Sequence, residues 1–164
     1  MVPCATRRLP VKPSPTDRIE RQIEIHAPVS RIWRALTDHH EFGKWFRVKL
    51  ENPFVVGHKT WGQITYPGYE HLRFEVDVVK IQPERYFAFR WHPYAIEPGV
   101  DYSKETPTLV EFFLEPTTAG TLLRVTESGF DAIPASRRNE AFRMNSGGWE
   151  EQVRNIAEYV THGS

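Results

Sequence analysis

The chain has 164 residues, with 21 basic and 21 acidic side chains, so its formal net charge is zero. This length suits one domain with a substantial core, and the missing basic excess argues against a nucleic-acid partner. No apolar run approaches the roughly 20 residues that span a bilayer, and the first residues lack the apolar core of a secretory signal. A soluble, cytoplasmic protein without membrane insertion is therefore predicted. The one cysteine, Cys4, excludes an intrachain disulfide and a cysteine metal cluster.

Aromatic side chains make up 13% of the chain: five Trp, six Tyr and ten Phe. Such large, rigid apolar groups either fill a core or line a small-molecule pocket. Composition alone leaves both interpretations open.

The N-terminal segment, residues 1–16, carries four prolines and few apolar residues. This composition predicts an extended, disordered tail. The folded domain is predicted to span residues 17–161.

The domain opens with a strand and two short helices. Apolar and polar residues alternate over 19–25, which predicts a half-buried strand. Pro28 suits the start of a helix whose apolar stripe runs to Leu36. Asp38 is expected to cap a second helix through Trp45. Both helices are too short to be stable alone, so they must pack on the sheet.

Strands follow one another with short turns, which predicts an antiparallel meander. A parity change at Val79 predicts a β-bulge, and residues 93–107 predict a long loop. A C-terminal helix follows, with an apolar stripe from Phe142 to Val160 that is interrupted by Gly147 and Gly148. Because helical glycines cost stability, we interpret these two as leaving room for another surface or a ligand. The predicted strands cover residues 58–66, 72–81, 85–92, 108–115 and 121–127.

Five segments, in this order, resemble the START/SRPBCC superfamily and, within it, the family similar to the activator of the heat-shock-protein-90 ATPase. They are Ile25–Asp38, Trp45-Phe46, Val79–Arg85 running into Phe89-Arg90-Trp91, Gly120–Phe130 and Gly148-Trp149. The resemblance covers about residues 18–160. It implies an α+β helix-grip fold, in which a curved antiparallel sheet of six to seven strands carries two short helices after its first strand. A long C-terminal helix packs over the concave face, with a cavity between the two.

Two features depart from the family pattern near the expected cavity. Glu127 stands where many members have a histidine, and the loop from His92 to Pro107 is longer than typical.

The candidate ligand-binding residues are those expected between the concave face and the last helix. For each aromatic residue among them, ordinary core packing is the alternative. The set is Trp45, Trp61, Tyr66, Phe89, Trp91, Phe112, Glu127, Phe142, Asn145 and Trp149.

Glu127 shares the parity of Leu123 and Val125, so its carboxylate is predicted to point inward. A carboxylate there needs partners, because burying it is costly. One interpretation is that it orients a ligand hydroxyl or amine, or acts as a general base. The other is that it pairs with an arginine at a strand end open to water. Asn145 and Ser146 are possible polar partners from the helix.

No metal site, cofactor or catalytic motif is predicted. His39 and His40 are adjacent, so on a helix they point about 100° apart and lack further ligands. No nucleophile motif or phosphate-cradling glycine loop is present, which leaves Glu127 as the catalytic candidate.

Three functions follow from these observations. The leading hypothesis is a domain that binds a small hydrophobic, aromatic or lipid-like molecule, as a monomer or weak homodimer. The second is a chaperone-associated interaction domain in the stress response, which would use the outer surface or the loop 93–107. The third is a cyclase-like or hydrolytic enzyme with Glu127 as its base.

Overall fold

The computed structural model describes residues 15–162. Most of the predicted tail, including Cys4, lies outside this range. Every predicted strand and helix is confirmed, and one short strand is added. The strands are β1 Arg18–Ile25, β2 Val48–Leu50, β3 Lys59–Ile64, β4 Arg73–Gln82, β5 Tyr86–Trp91, β6 Thr108–Pro116 and β7 Thr121–Ser128; the helices are α1 Val29–Thr37, α2 His39–Phe46 and α3 Ala135–His162.

The seven strands form one antiparallel sheet in the order β1-β7-β6-β5-β4-β3-β2. The meander is confirmed from β2 to β7, with β1 added beside β7. The strand β2 escaped prediction because three residues are too few to display alternation. The predicted bulge is also confirmed, since the β4–β5 register shifts between Val78 and Lys80. Val79 consequently points outward and is 40% exposed.

The inner face of the sheet is filled by alternating apolar side chains. Phe87, Phe89 and Phe112 have no exposed surface, and their rings lie 5.7–5.9 Å apart between centroids. Such aromatic pairs add stability beyond the area that they bury. Much of the space beneath the helices is therefore packed core.

The short helices are held as the sequence predicts. The Asp38 carboxylate accepts hydrogen bonds from the backbone N–H groups of His40 (2.9 Å) and Glu41 (3.0 Å), which confirms the cap of α2. The Trp45 indole then donates to the Ala35 carbonyl at 2.8 Å, which fixes α2 against α1.

A polar cluster joins both short helices to α3. The Glu41 carboxylate contacts Arg31 at 2.7 Å and Arg34 at 2.6 Å, and it accepts a hydrogen bond from the Tyr159 hydroxyl at 2.9 Å. Burial acts to raise the pKa of Glu41, but the hydrogen bonds from Tyr159 and Arg31, together with the charges of Arg31 and Arg34, outweigh it and lower the pKa. Helices too short to stand alone thus gain tertiary support.

Helix α3 buries Trp149, Val153 and Ile156, as its stripe predicts. It runs unbroken through Gly147 and Gly148, so the glycines interrupt the stripe and not the helix. Within residues 15–162, no helix is long and apolar enough to cross a membrane.

Candidate functional site

Glu127 points into the protein from the last strand, β7. Its alternation with Leu123 and Val125 places it on the inner face, and none of its surface is exposed. The predicted inward orientation is confirmed.

Four neutral side chains donate hydrogen bonds to the Glu127 carboxylate. Trp91 Nε1 (2.8 Å) and Thr108 Oγ1 (2.6 Å) donate to Oε2. Asn145 Nδ2 (2.9 Å) and Trp149 Nε1 (2.8 Å) donate to Oε1. Each oxygen therefore accepts two hydrogen bonds, and the carboxylate ties β5, β6 and β7 to α3.

The alternative of an arginine partner at a wet strand end is wrong, because all four partners are neutral and the group is buried. Asn145 is a partner, as expected from the sequence. Ser146 is not, because its Oγ accepts a hydrogen bond from Arg21 Nη2 at 2.7 Å. This second contact joins the middle of β1 to α3.

Burial raises the pKa of Glu127, and the four hydrogen bonds act in the opposite direction. Both oxygens are already occupied, so the carboxylate has no open position at which to exchange a proton with a ligand. Its chemical role in this arrangement is to fix the positions of two indoles and one amide.

Strand register explains why these donors meet. Trp91 lies opposite Thr108 in the β5–β6 pair, and Glu127 lies opposite Val110 in the β6–β7 pair. Thr108 was missed from the sequence. The alternation along β6 could have identified it, because Thr108 lies two residues before Val110 and therefore points to the same inner face.

The donors also form the wall of an open depression, which we call the helix cleft. Its volume is about 120 Å³. Three of its lining residues, Trp91, Asn145 and Trp149, are the ones that donate to Glu127. The complete lining is Phe46, Trp91, Asn145, Gly148, Trp149 and Gln152.

Two further depressions share Phe46 with the helix cleft. The loop cleft, of about 510 Å³, lies between the sheet and the loop after β5. The Tyr66 cleft, of about 130 Å³, also shares Gly148 and Gln152 with the helix cleft. The loop cleft is lined by Phe46, Lys59, Ile64, residues 72–75, Trp91, His92, residues 94–96 and residues 100–103; the Tyr66 cleft is lined by residues 45–47, Tyr66, Gly148, Glu151, Gln152 and Asn155.

The two glycines of α3 leave open space, as interpreted from the sequence. A Cβ atom built on Gly147 or Gly148 would meet no heavy atom within 4 Å beyond the helix itself. Gly148 lines the helix and Tyr66 clefts, whereas Gly147 lines none of the three. The open space at Gly148 therefore borders the helix cleft and the Tyr66 cleft.

Some of the predicted ligand-binding residues lie outside the helix cleft. Trp45 and Tyr66 line the Tyr66 cleft. Phe89 and Phe112 have no exposed surface and belong to the packed core. Core packing, the alternative considered for each aromatic residue, is thus correct for these two.

The placement of Trp61 and Phe142 in the cavity is corrected. Trp61 is 40% exposed on the outer face of β3, beneath the Arg73 guanidinium at 4.3 Å from the ring centroid. The alternation of β3 buries Thr60 and turns Trp61 outward. Phe142 packs edge-on against Phe130, at 5.2 Å between centroids, and lines none of the three clefts.

The histidine pair has no metal-binding surroundings in the described structure. Within residues 15–162, no group of three or more His, Cys, Asp or Glu side chains is placed to hold a metal ion. The rings of His39 and His40 lie 4.0 Å apart between centroids.

Solved structures support the same architecture. Protein MLL2253 from Mesorhizobium loti superposes with a TM-score of 0.70 at 22% identity, covering 90% of this chain and 98% of that one. The Aha1 dimer from Colwellia psychrerythraea gives 0.66 at 20% identity, covering 90% and 98%. DynU16, from the dynemicin biosynthetic locus, gives 0.70 at 24% identity; the match covers 90% of this chain but 48% of DynU16, about half of its length. These likenesses establish the helix-grip fold.

Sequence comparison identifies the family. A search of curated proteins found no significant match. The family model described as "Activator of Hsp90 ATPase homolog 1-like protein" matches residues 26–161, which is most of the chain. The protein therefore belongs to the family of Activator of Hsp90 ATPase homolog 1-like proteins.

Proposed function

We propose that the protein binds a small hydrophobic or aromatic molecule in the helix cleft and the adjoining loop cleft. The observation that carries this proposal is the buried Glu127 carboxylate, which holds Trp91, Asn145 and Trp149 in the cleft wall beside Gly148. Burying a carboxylate costs free energy, and four donors are needed to offset that cost. A wall fixed in this way is preorganised for a ligand, which reduces the ordering cost of binding.

The chemistry of the wall favours a planar apolar ligand. The rings of Trp91 and Trp149 lie 5.8 Å apart between centroids, and those of Phe46 and Trp91 lie 6.0 Å apart. Aromatic faces at such spacing can stack on a planar ring. The loop cleft, at about 510 Å³, lies within the usual range of ligand pockets, about 300–1,000 Å³.

Filling the space above Gly148 tests this proposal. In the Gly148→Leu variant, a side chain occupies the cleft, so 2-naphthol should bind at least about tenfold more weakly, a loss of about 1.4 kcal/mol. Gly147→Leu is the matched control, because it adds the same side chain one residue away, outside the clefts. Isothermal titration calorimetry measures both affinities. Equal affinities in the two variants, or no binding by the unaltered protein, would contradict the proposal.

A second candidate function rests on the family match. The family description names the Hsp90 ATPase, and a protein of this family that acts on a chaperone would use its outer surface. Added protein should then raise the rate of ATP hydrolysis by the heat-shock chaperone, and an unchanged rate contradicts this role. The enzymatic alternative gains less support, because neither oxygen of Glu127 is free to act as a base.

A further inference from the structure

The loop after β5 forms one complete wall of the loop cleft. Seven lining residues come from positions 94–103, and the opposite wall comes mainly from β3 and β4. The position of this loop therefore determines the width and the polarity of the cleft.

The charged groups that line the loop cleft balance one another. Lys59 Nζ lies 3.5 Å from Glu75 Oε2 and 3.3 Å from Asp77 Oδ1. Arg73 Nε lies 2.7 Å from Glu75 Oε1. The fourth charged lining residue, Asp101, is acidic, so two cations and two anions border the cleft.

The remaining polar groups offer no positive charge for an anion to neutralise. Asp101 Oδ1 accepts a hydrogen bond from the backbone N–H of Ser103 at 2.9 Å. Burial lowers the pKa of His92, which favours the neutral form of its imidazole. Lys59 and Arg73 are both paired with carboxylates, so a ligand anion in this cleft would lose hydration without finding an unpaired positive charge.

One residue of α3, Arg137, fastens the loop at both ends. Its guanidinium forms a bidentate pair with Glu105, in which Nε lies 2.9 and 3.0 Å from the two carboxylate oxygens and Nη2 makes a further contact. Nη1 donates to the carbonyls of Pro93 (2.8 Å) and Tyr94 (3.4 Å). The guanidinium also lies over the Tyr102 ring, 4.8 Å from its centroid. The planar fork of arginine suits this set of contacts, which a lysine cannot reproduce.

The fastened loop has two unfavourable features that these contacts must offset. Tyr94 adopts a left-handed backbone conformation with φ of 52°, which is disfavoured for a residue with a side chain. The Nδ1 atom of His92 is buried and has no hydrogen-bond partner among the described residues. The loop therefore depends on Arg137 for its position.

We infer that the loop cleft selects uncharged, mainly apolar ligands over anions, and that Arg137 is the positioning residue that maintains this selection by fixing the loop. The inference rests on the proposed function, because the loop cleft is part of the binding site proposed there and shares Phe46 and Trp91 with the helix cleft. When the loop is released, water enters the cleft and the cost of placing a charge there falls.

Two probes of the same ring system test the selection. At pH 7, 2-naphthol is neutral and 2-naphthoate is an anion. We expect the protein to bind 2-naphthol at least about tenfold more tightly, because the anion alone loses hydration without a partner. In Arg137→Ala and in Arg137→Lys, the preference should fall below about threefold, since both variants lose the fork. Limited proteolysis within residues 93–107 should accelerate at least about fivefold in both.

Arg138→Ala is the matched control, because Arg138 donates to the carbonyl of Ile133 at 3.1 Å and does not contact the loop. Its preference and its cleavage rate should match those of the unaltered protein. Circular dichroism confirms that each variant is folded, and the Lys variant supplies the test if the Ala variant does not fold.

Equal binding of the two probes to the unaltered protein overturns this inference and leaves the proposed function standing. An unchanged preference in a folded Arg137 variant overturns the positioning role. If neither probe binds, the proposed function and this inference both fail.

Discussion

At the scale of single residues, Glu127 carries the most consequence. It is a carboxylate without exposed surface, and its four partners are all neutral donors. Removing one acceptor from such a network leaves buried donors unpaired, which costs more than the hydrogen bond itself contributes.

The variant Glu127→Gln should be strongly destabilised. Its amide offers one acceptor oxygen, so the two donors that face the new NH₂ group lose their acceptor at about 1–3 kcal/mol each. Urea denaturation measures the change in the free energy of unfolding. Glu115→Gln, exposed at the end of β6, should stay within about 0.5 kcal/mol of the unaltered protein. A change equally small for Glu127→Gln would show that the hydrogen-bond network around Glu127 adds little to the free energy of unfolding.

The same pair of proteins reveals the ionisation of Glu127. Burial raises its pKa in the folded state above the ordinary 4.5, so the unfolded chain loses this proton first as pH rises. The stability of the unaltered protein, relative to Glu127→Gln, should therefore fall as pH rises from 4.5 through the folded-state pKa. The fall is about 1.4 kcal/mol for each unit between the two pKa values. A relative stability that rises with pH would mean that the four donors outweigh burial.

At the scale of elements, α3 packs on the sheet through a stripe of apolar side chains, and Gly147 and Gly148 interrupt that stripe without contributing to the packing. Its buried side chains hold it on the sheet, yet nothing described in the structure lies within 4 Å of a Cβ atom at Gly147 or Gly148, apart from the helix itself. Neither glycine has a left-handed backbone that would require it. Packing therefore does not explain why glycine is present at these positions.

The variants Gly147→Ala and Gly148→Ala should each be more stable by up to about 1 kcal/mol, because alanine loses less backbone entropy in a helix. Thermal unfolding followed by circular dichroism measures this gain. The double variant should show the sum of the two gains. A loss of stability at either position would reveal a close contact that the space around the glycines does not suggest.

At the scale of the whole molecule, three contacts join elements far apart in the chain. Glu127 links three strands to α3, Arg21 of β1 reaches Ser146, and Glu41 of α2 meets Tyr159. These contacts tie β1, β5, β6, β7 and α2 to α3, and β2, β3 and β4 continue the same sheet beside β5. The sheet and its helices should therefore unfold as one unit.

Comparing two denaturation curves tests whether the protein unfolds as one unit. Tryptophan fluorescence reports the surroundings of α1, α2, β3 and the cleft, whereas far-ultraviolet circular dichroism reports all the helices and strands. The two midpoints in urea should agree within error. A separate early step in either signal would mean that part of the molecule, such as the loop 93–107, unfolds independently.

Local features followed from the sequence because their causes lie within a few residues. Alternation located the strands, Asp38 marked the cap of α2, and the parity change at Val79 located the bulge. The inward orientation of Glu127 followed from the same period of two. The strand β2 did not, since three residues carry too little pattern.

The hydrogen-bond partners of Glu127 could not all be predicted from the sequence, because they come from elements that lie far apart in the chain. Trp61 and Phe89 are both aromatic residues of predicted strands, yet β3 turns the first outward and β5 buries the second. Strand register and the docking of α3 decided that Glu127 meets two indoles, a threonine and an asparagine instead of an arginine. By itself the sequence determined the order of strands and helices and one inward-pointing carboxylate, since both arise from local period, and its resemblance to a known family implied the helix-grip fold. Only the tertiary structure decided the donors around that carboxylate and the clefts beside it, because distances between strands, helix and loop exist only once the chain has packed.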